Sequence, residues 1–298
     1  MSSCLLARTD IGQGEQWAGL DSDFRETLHR AFSHEELNVA EGERLLRAED
    51  EELQALVGVA DEVRRRRVGD IVTYVINRNL NFTNICVSSC KFCAFRRSPD
   101  NHDAYVLTLE QIAARVREAL AFGATEVCVQ GGLHPEFGLE NYLDMLRTIR
   151  KISPDIHIHA FSPAELNHIA KQDGLPIDEV IKTLRDAGLN SVPGTAAEIL
   201  VDRVREIICP KKISTKRWVE VIKTCHHLGL PTTATMLYGT VETPRERAEH
   251  LALIREIQHE TWGFTEFVPL AFMPYNTPLW SDGERSPPSI FESLRVHA

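Results

Sequence analysis

The chain has 298 residues, of which 43% are hydrophobic and 26% charged, and it carries a formal net charge of −10. That length suits one large domain or two ordinary ones, and the composition excludes a disordered chain. The acidic balance argues against nonspecific nucleic-acid binding, and no run of about 18 apolar residues is present to span a membrane.

The sequence opens without a basic start and apolar run, so no signal peptide is expected and the chain reads as cytoplasmic. Residues 1–67 are charged and helical in pattern, with no strand signal, and are expected to form an N-terminal helical segment. "RRRR" at 64–67 reads as the solvated end of a helix. From 68 to 280 short β-branched runs alternate with amphipathic stretches. A first strand is expected near 71–82, and the loop after it carries Cys86, Cys90 and Cys93. "TLEQIAARVREALAFG" (108–123) predicts a helix with Thr108 as N-cap, Gln111 completing a capping box and Gly123 as the stop. Further strands are expected at 125–132, 155–163, 188–194, 230–239 and 264–272, with a helix over 214–229.

Strands alternating with helices imply right-handed βαβ units and a parallel sheet. Six strands without a nucleotide-binding glycine fingerprint fit an opened or incomplete (β/α)₈ barrel better than a doubly wound sheet. Barrel chemistry sits at the C-terminal ends of the strands. Cys86, "QGG", "HAFSP" and "LYGTVE" are therefore expected on one face. Residues 281–298 are rich in Ser, Pro and charge and are expected to form an irregular tail.

Three thiols in eight positions of a chain read as intracellular suggest metal or catalysis rather than disulfides. Structural zinc takes four ligands, usually in two pairs, and plant-type iron–sulfur runs have a longer first gap. Cys86-x₃-Cys90-x₂-Cys93 matches neither. Three thiolates on a cubane cluster would leave one iron open to another ligand. On spacing alone, incidental buried cysteines, or zinc borrowing His102 or Cys128, stay as alternatives. Cys4, Cys209 and Cys225 show no ligand spacing.

The C-x₃-C-x₂-C run, with Phe92 before its last cysteine, resembles the signature of the radical S-adenosylmethionine (radical SAM) superfamily. "NRNLNFTNIC", "CKFCAFRR", "EVCVQGGLHP", "HIHAFSP", "PGTAAEIL", "ICPKKIS", "TTATMLYGTVETP" and "GFTEFVPLAF" together resemble one family within it. This is the 5-amino-6-(D-ribitylamino)uracil–L-tyrosine 4-hydroxyphenyl transferase family of deazaflavin (FO) synthesis. The likeness runs from about residue 38 to 279. It implies a radical SAM (β/α) barrel, incomplete in this chain with about six βα units, a [4Fe–4S] cluster on the three cysteines, and SAM bound at the open iron. It also implies tyrosine and the ribitylaminouracil as substrates, an electron donor such as ferredoxin or flavodoxin, and a partner deazaflavin synthase subunit. Aminofutalosine synthase of menaquinone synthesis shares some blocks and is the alternative, as is a shortened, non-catalytic relative that holds a cluster.

Within this frame Gly131 and Gly132 would let the backbone approach SAM, and Gln130 would face it. Phe92 and Glu198 are further cofactor-binding candidates; the carboxylate of Glu198 could also be an acid at a helix start. His157 and His159 alternate along one strand, and His159, nearer its C-terminal end, is the catalytic candidate together with Tyr238. His134 and Glu242 lie close to the same end. Cys128 is expected to pack as a small hydrophobe.

Overall fold

The structure, a computed structural model, describes residues 17–280 and 286–298. Cys4 and part of the expected tail, 281–285, lie outside the described residues. The chain divides into two compact units, one ending at Thr73 and including Ser289–Ala298, the other spanning Tyr74–Pro288.

The first unit is helical: α1 (Ser22–Phe32), α2 (Val39–Leu45) and α3 (Asp50–Val68). Asp21 caps α1 through its carboxylate, and Asn38 with Glu41 forms a capping box on α2. Trp17, Phe24, Leu28, Leu53, Leu56 and Val59 form its core. Arg65 and Arg66 at the end of α3 pair with Glu62 on the same helix, as expected of a solvated helix end.

The second unit opens with β1 (Asn77–Asn81), then α4 (Leu109–Ala121), β2 (Glu126–Gln130), α5 (Leu139–Ile152) and β3 (His157–Ala160). It continues with α6 (Pro163–Asp173), α7 (Ile177–Asp186), α8 (Asp202–Ile208), α9 (Thr215–His227), β4 (Thr232–Tyr238), α10 (Pro244–Thr261) and β5 (Phe264–Ala271). Capping follows the sequence. Thr108 and Gln111 form the box that starts α4, and Ser214 caps α9. Gly123 and Gly229 take the positive φ that ends a helix.

All strand pairs are parallel, in the orders β1-β2-β3 and β4-β5. The expected strand over 188–194 is corrected: only two single bridges form there, His159 with Ser191 and Val192 with Thr232. Pro193 has no N–H to extend the ladder beyond them. The two bridges still place this segment between β3 and β4, so the strands follow one another in chain order. Among the described residues β5 pairs only with β4 and β1 only with β2, and the barrel stays open.

Side-chain alternation sorts the strands. Leu80, Val127, Val129, Ile158 and Ala160 join a core with Tyr142, Leu146 and Ile149 of α5 and Val180, Ile181 and Leu184 of α7. Each such fully buried aliphatic side chain is worth about 1.5–3 kcal/mol. The intervening residues, Asn79, Cys128, Gln130 and His159, take the opposite face and form the polar inner wall.

Two further expectations are corrected. The first strand begins at Asn77 rather than near 71. Residues 71–76 are exposed, and contact with the start of β2 begins at Ile76, whose carbonyl accepts from Thr125 N–H at 2.9 Å. The tail is not wholly irregular: α11 (Ile290–His297) forms at its end, capped by the Ser289 hydroxyl on Glu292 N–H. Ser289 and Glu292 are an S-x-x-E start signal, and Arg295 donates to the Ala48 carbonyl at 2.6 Å within the first unit.

The run "IVTYVI" (71–76) has high β-propensity and no charge, and Val72 and Tyr74 are 87% and 86% exposed. Such a segment seeks another strand. Lysine at both positions (Val72→Lys, Tyr74→Lys) is expected to lower self-association in light scattering while leaving the melting temperature within a few degrees.

Acid should weaken the fold through His226. Its ring lies between the Thr261 and Thr232 hydroxyls, at 2.6 and 2.9 Å, with Phe264 edge-on. Burial first, then His227, holds it at about 4 against an ordinary 6.5. A depressed folded value means stability present above 6.5 and lost as pH falls through about 4. His226→Gln should shrink the drop in melting temperature between pH 7 and pH 4.5; an unchanged drop would contradict this.

Candidate metal centre

The loop after β1 is closed at its neck. Cys86 N–H donates to the Arg97 carbonyl at 3.1 Å, and Arg97 N–H to that of Asn84 at 2.7 Å. Inside it, Cys93 N–H turns back to the Cys90 carbonyl at 3.2 Å, and the Ser88 hydroxyl lies 3.2 Å from Cys90 Sγ. Cys86, Cys90 and Cys93 all line one cavity of about 270 Å³, with Phe92 between the last two. Burial pushes the Cys90 thiol up, and the Lys212 ammonium pulls it back toward thiolate.

Among the described residues no three His, Cys, Asp or Glu side chains converge on a point that would hold a single ion. Three cysteines spread around a cavity instead suit a multi-iron group, in which each thiolate meets its own metal.

The opposite wall is the exit of β2. Gln130, Gly131 and Gly132 line the cavity. The Gln130 side-chain carbonyl accepts from the Thr195 hydroxyl at 3.2 Å. Neither glycine has room for a side chain: a Cβ on Gly132 would sit 2.1 Å from the Ile85 carbonyl oxygen, and one on Gly131 2.5 Å from the Phe82 ring. This turn interlocks with the cysteine loop. Gly132 N–H donates to the Thr83 carbonyl at 2.9 Å, Val87 N–H to that of Leu133 at 3.0 Å, and Leu133 N–H to Cys86 Sγ at 3.3 Å.

Glu198 also lines the cavity, buried and at φ 45°, a strained backbone for a residue with a Cβ. Its Oε1 accepts from Lys212 Nζ at 2.6 Å, whereas its buried Oε2 has no hydrogen-bond partner. A strained backbone holding an orphaned buried oxygen fits a ligand donor that completes it.

The other sequence candidates lie elsewhere. His159 and Tyr238 do not line this cavity. His159 Nδ1 and His157 Nε2 each lie 2.7 Å from the Ser191 hydroxyl. Burial lowers the His159 value further, which keeps the ring neutral. Tyr238 is buried, with the Arg247 guanidinium 5.6 Å from its ring. Glu242 accepts from the Gly239 and Thr240 N–H groups and so serves the turn after β4. His134 stacks on Phe137 at 4.2 Å. Cys128 is partly buried, with its thiol raised by burial.

Sequence reasoning passed over two cavity residues, Glu165 and Lys212. Glu165 is the acid of an S-x-x-E capping box on α6. It also reaches across to β2: Oε1 accepts from Gly131 N–H at 3.0 Å, and Oε2 from Ser162 N–H and Oγ–H, both at 2.7 Å. The capping signal was legible in "SPAE", but the second contact was not. Lys212 carries no local cue in "ICPKKIS".

Full burial pushes Glu165 up to about 7, while the Ser162 and Gly131 donors pull the other way. A carboxyl with a raised folded value contributes stability below its ordinary 4.5 and loses it as pH rises through about 7. Glu165→Gln should flatten the pH dependence of the melting temperature in that window. A variant with the same slope as the parent would sink this assignment.

Comparison with known proteins bears on the same residues. The family model of the radical SAM superfamily matches residues 80–254. The 5-amino-6-(D-ribitylamino)uracil–L-tyrosine 4-hydroxyphenyl transferase of Methanocaldococcus jannaschii is 49% identical over 268 residues, covering 88% of this chain and 75% of that protein. The Archaeoglobus fulgidus protein of the same name is 53% identical over 221 residues, covering 74% of this chain and 63% of its own length. The Methanococcoides burtonii one is 51% identical over 224 residues, covering 75% and 62%. The chain thus spans less than two thirds of the latter two relatives. Among solved structures, the [FeFe]-hydrogenase maturase HydG superposes with a TM-score of 0.72 at 18% identity, covering 92% of this chain and 60% of HydG. Methylornithine synthase (PylB) gives 0.70 at 16% identity, covering 91% and 76%. At such identities these two speak to the fold alone, and they share it. No helix of the described residues is long and apolar enough to cross a membrane. The chain belongs to the radical SAM superfamily and, within it, to the family of 5-amino-6-(D-ribitylamino)uracil–L-tyrosine 4-hydroxyphenyl transferases.

Proposed function

We propose that the chain joins the 4-hydroxybenzyl fragment of L-tyrosine to 5-amino-6-(D-ribitylamino)uracil, in the assembly of a deazaflavin coenzyme. The observation that carries this reading is a single cavity lined at once by Cys86, Cys90, Cys93, the Gly131–Gly132 turn and Glu198. Family membership supports the two substrates, and an outside one-electron donor of the ferredoxin or flavodoxin class and a partner synthase subunit belong to the same proposal.

In this reading Cys86, Cys90 and Cys93 hold a [4Fe–4S] cluster, and Phe92, Gln130, Gly131, Gly132 and Glu198 hold SAM. When bound, cluster and SAM would supply carbon-centred radical chemistry able to take a hydrogen atom from tyrosine and so cleave its Cα–Cβ bond, with 2-iminoacetate as the by-product. The chain's own residues bind and orient. The glycine turn brings backbone close to the ligand, and Glu198 Oε2, which faces Arg205 at 3.6 Å but has no hydrogen-bond donor, can accept a ligand N–H or O–H. Apolar Phe92, Leu133 and Leu237 keep water from the cavity. His159 and Tyr238 stay as candidates for the tyrosine end of the reaction, lying on β3 and β4 rather than in the cavity wall.

The test is anaerobic reconstitution with iron, sulfide and SAM, followed by mass spectrometry with tyrosine and the ribitylaminouracil. The expected products are the hydroxybenzyl adduct, methionine and 5′-deoxyadenosine. Formation of an aminofutalosine in preference would overturn the substrate assignment. Cys86→Ala, Cys90→Ala and Cys93→Ala should each lose the visible iron–sulfur absorbance and SAM cleavage. Full iron, sulfide and cleavage in Cys90→Ala would overturn the cluster assignment.

A further inference from the structure

Against the cysteine loop lies a buried group of three charges that the reading above leaves largely unused. Lys212 Nζ is 2.6 Å from Glu198 Oε1, and Arg205 Nη1 is 3.6 Å from Glu198 Oε2. The three side chains are 16%, 4% and 6% exposed for Lys212, Arg205 and Glu198. The other donors of Arg205 go to the carbonyls of Ala196, Ala197 and Ile213, none of them charged. Among the described residues no second carboxylate lies within ion-pair distance of Lys212 or Arg205.

Among the titratable neighbours, Glu165 lines the same cavity, feels the Lys212 charge and is held up at about 7 by burial, so near pH 7 it carries only part of a negative charge. Burial pushes the Cys209 thiol up to about 12, and burial with Arg205 nearby holds His250 at about 3, so both are neutral near pH 7. Lys212 and Arg205 against Glu198 and a part-charged Glu165 therefore leave a net positive balance in the interior, which is costly without a further anion close by. The groups that become anions on ligating a metal are the cysteines. Lys212 Nζ is 5.5 Å from the centre of the Phe92 ring, between Cys90 and Cys93 in the loop, and it shares the cavity wall with all three thiols.

We infer that Lys212, Arg205 and Glu198 together form the counter-charge of the iron–sulfur cluster, with Lys212 raising its reduction potential and Glu198 restraining that effect. This rests on the cluster reading given above. A doubly positive [4Fe–4S] core on three thiolates carries one net negative charge. Uptake of one electron from a low-potential donor adds a second, with no bond made or broken and no proton moved. A buried cation a few ångströms away makes that uptake easier, and a buried anion makes it harder. Lys212 is a positioning and tuning residue here, since it reaches the reacting atoms only through the cluster's field.

The test uses the full chain, reconstituted anaerobically without SAM, as parent, Lys212→Met, Lys212→Arg and Glu198→Gln. Iron and sulfide content is measured for each, and the midpoint potential is read by electron paramagnetic resonance during a mediated redox titration. Lys212→Met should shift the potential to more negative values, Lys212→Arg should stay near the parent, and Glu198→Gln should shift it to more positive values. Opposite shifts from the two members of one ion pair separate a field effect from structural damage, which would not invert its sign. An unmoved potential in Lys212→Met, or shifts of the same sign in both, overturns the inference. If Lys212→Met takes up no cluster, Glu198→Gln decides: a potential unchanged or more negative overturns it, as does loss of the cluster from both variants. A parent without a cluster instead removes the underlying cluster reading, whereas a loaded parent with unmoved variants removes only the inference.

Discussion

The second unit depends on an interlock between two loops at the C-terminal ends of β1 and β2. Leu133 N–H reaches Cys86 Sγ, Gly132 N–H reaches the Thr83 carbonyl, and Val87 N–H returns to the Leu133 carbonyl. These bonds need the two backbones almost in contact, which is why Gly132 meets Ile85 with no room for a Cβ. Three thiols on a twelve-residue loop would otherwise be loosely placed. The neck bonds between Cys86, Asn84 and Arg97 and the glycine turn fix them against a rigid parallel sheet.

Glu165 extends this constraint to a third strand exit. Its carboxyl bridges the Gly131 N–H at the end of β2 and the Ser162 N–H and hydroxyl at the start of α6. One side chain thereby ties the loops after β2 and β3 to the same wall. The two buried acids of the cavity have opposite surroundings. Glu165 meets only neutral donors, and burial drives it toward the protonated form. Glu198 meets Lys212 and Arg205. Carboxyls whose environments diverge in this way take different tasks. Here one braces backbone and the other offers a charge and an oxygen without a hydrogen-bond donor to what the cavity holds.

The open sheet shapes the rest. A closed barrel satisfies every strand from both sides, whereas β1 and β5 here each have one partner among the described residues. Exposed apolar side chains lie there, from Val72 and Tyr74 before β1 to Phe267 on β5. The cavity forms within the open sheet, lined by the loops after β1, β2 and β3, by Glu198 and Lys212, and by Thr235 and Leu237 of β4 and Leu270 of β5.

Local chemistry in the sequence determined the three-thiol run, the glycine turn, the alternation of strands and helices, and the caps at Thr108, Ser214 and Gly123. Each is set by residues within a few positions of one another, through N-cap hydrogen bonds, positive φ or the period of side-chain direction. The S-x-x-E at Ser289 was equally local, and the prolines before it hid it. The tertiary structure decided what depends on distance across the chain. It broke the expected strand at 188–194 down to two bridges, and it began β1 at Asn77. It set His159 against Ser191 and the Tyr238 ring beside Arg247, neither of them lining the cavity. It brought Glu165, Glu198 and Lys212 to the cysteines from elements 70 to 130 positions away, where no sequence spacing could signal them. Burial then set their charge states, because the cost of an ion depends on the dielectric and on partners that only the folded chain assembles.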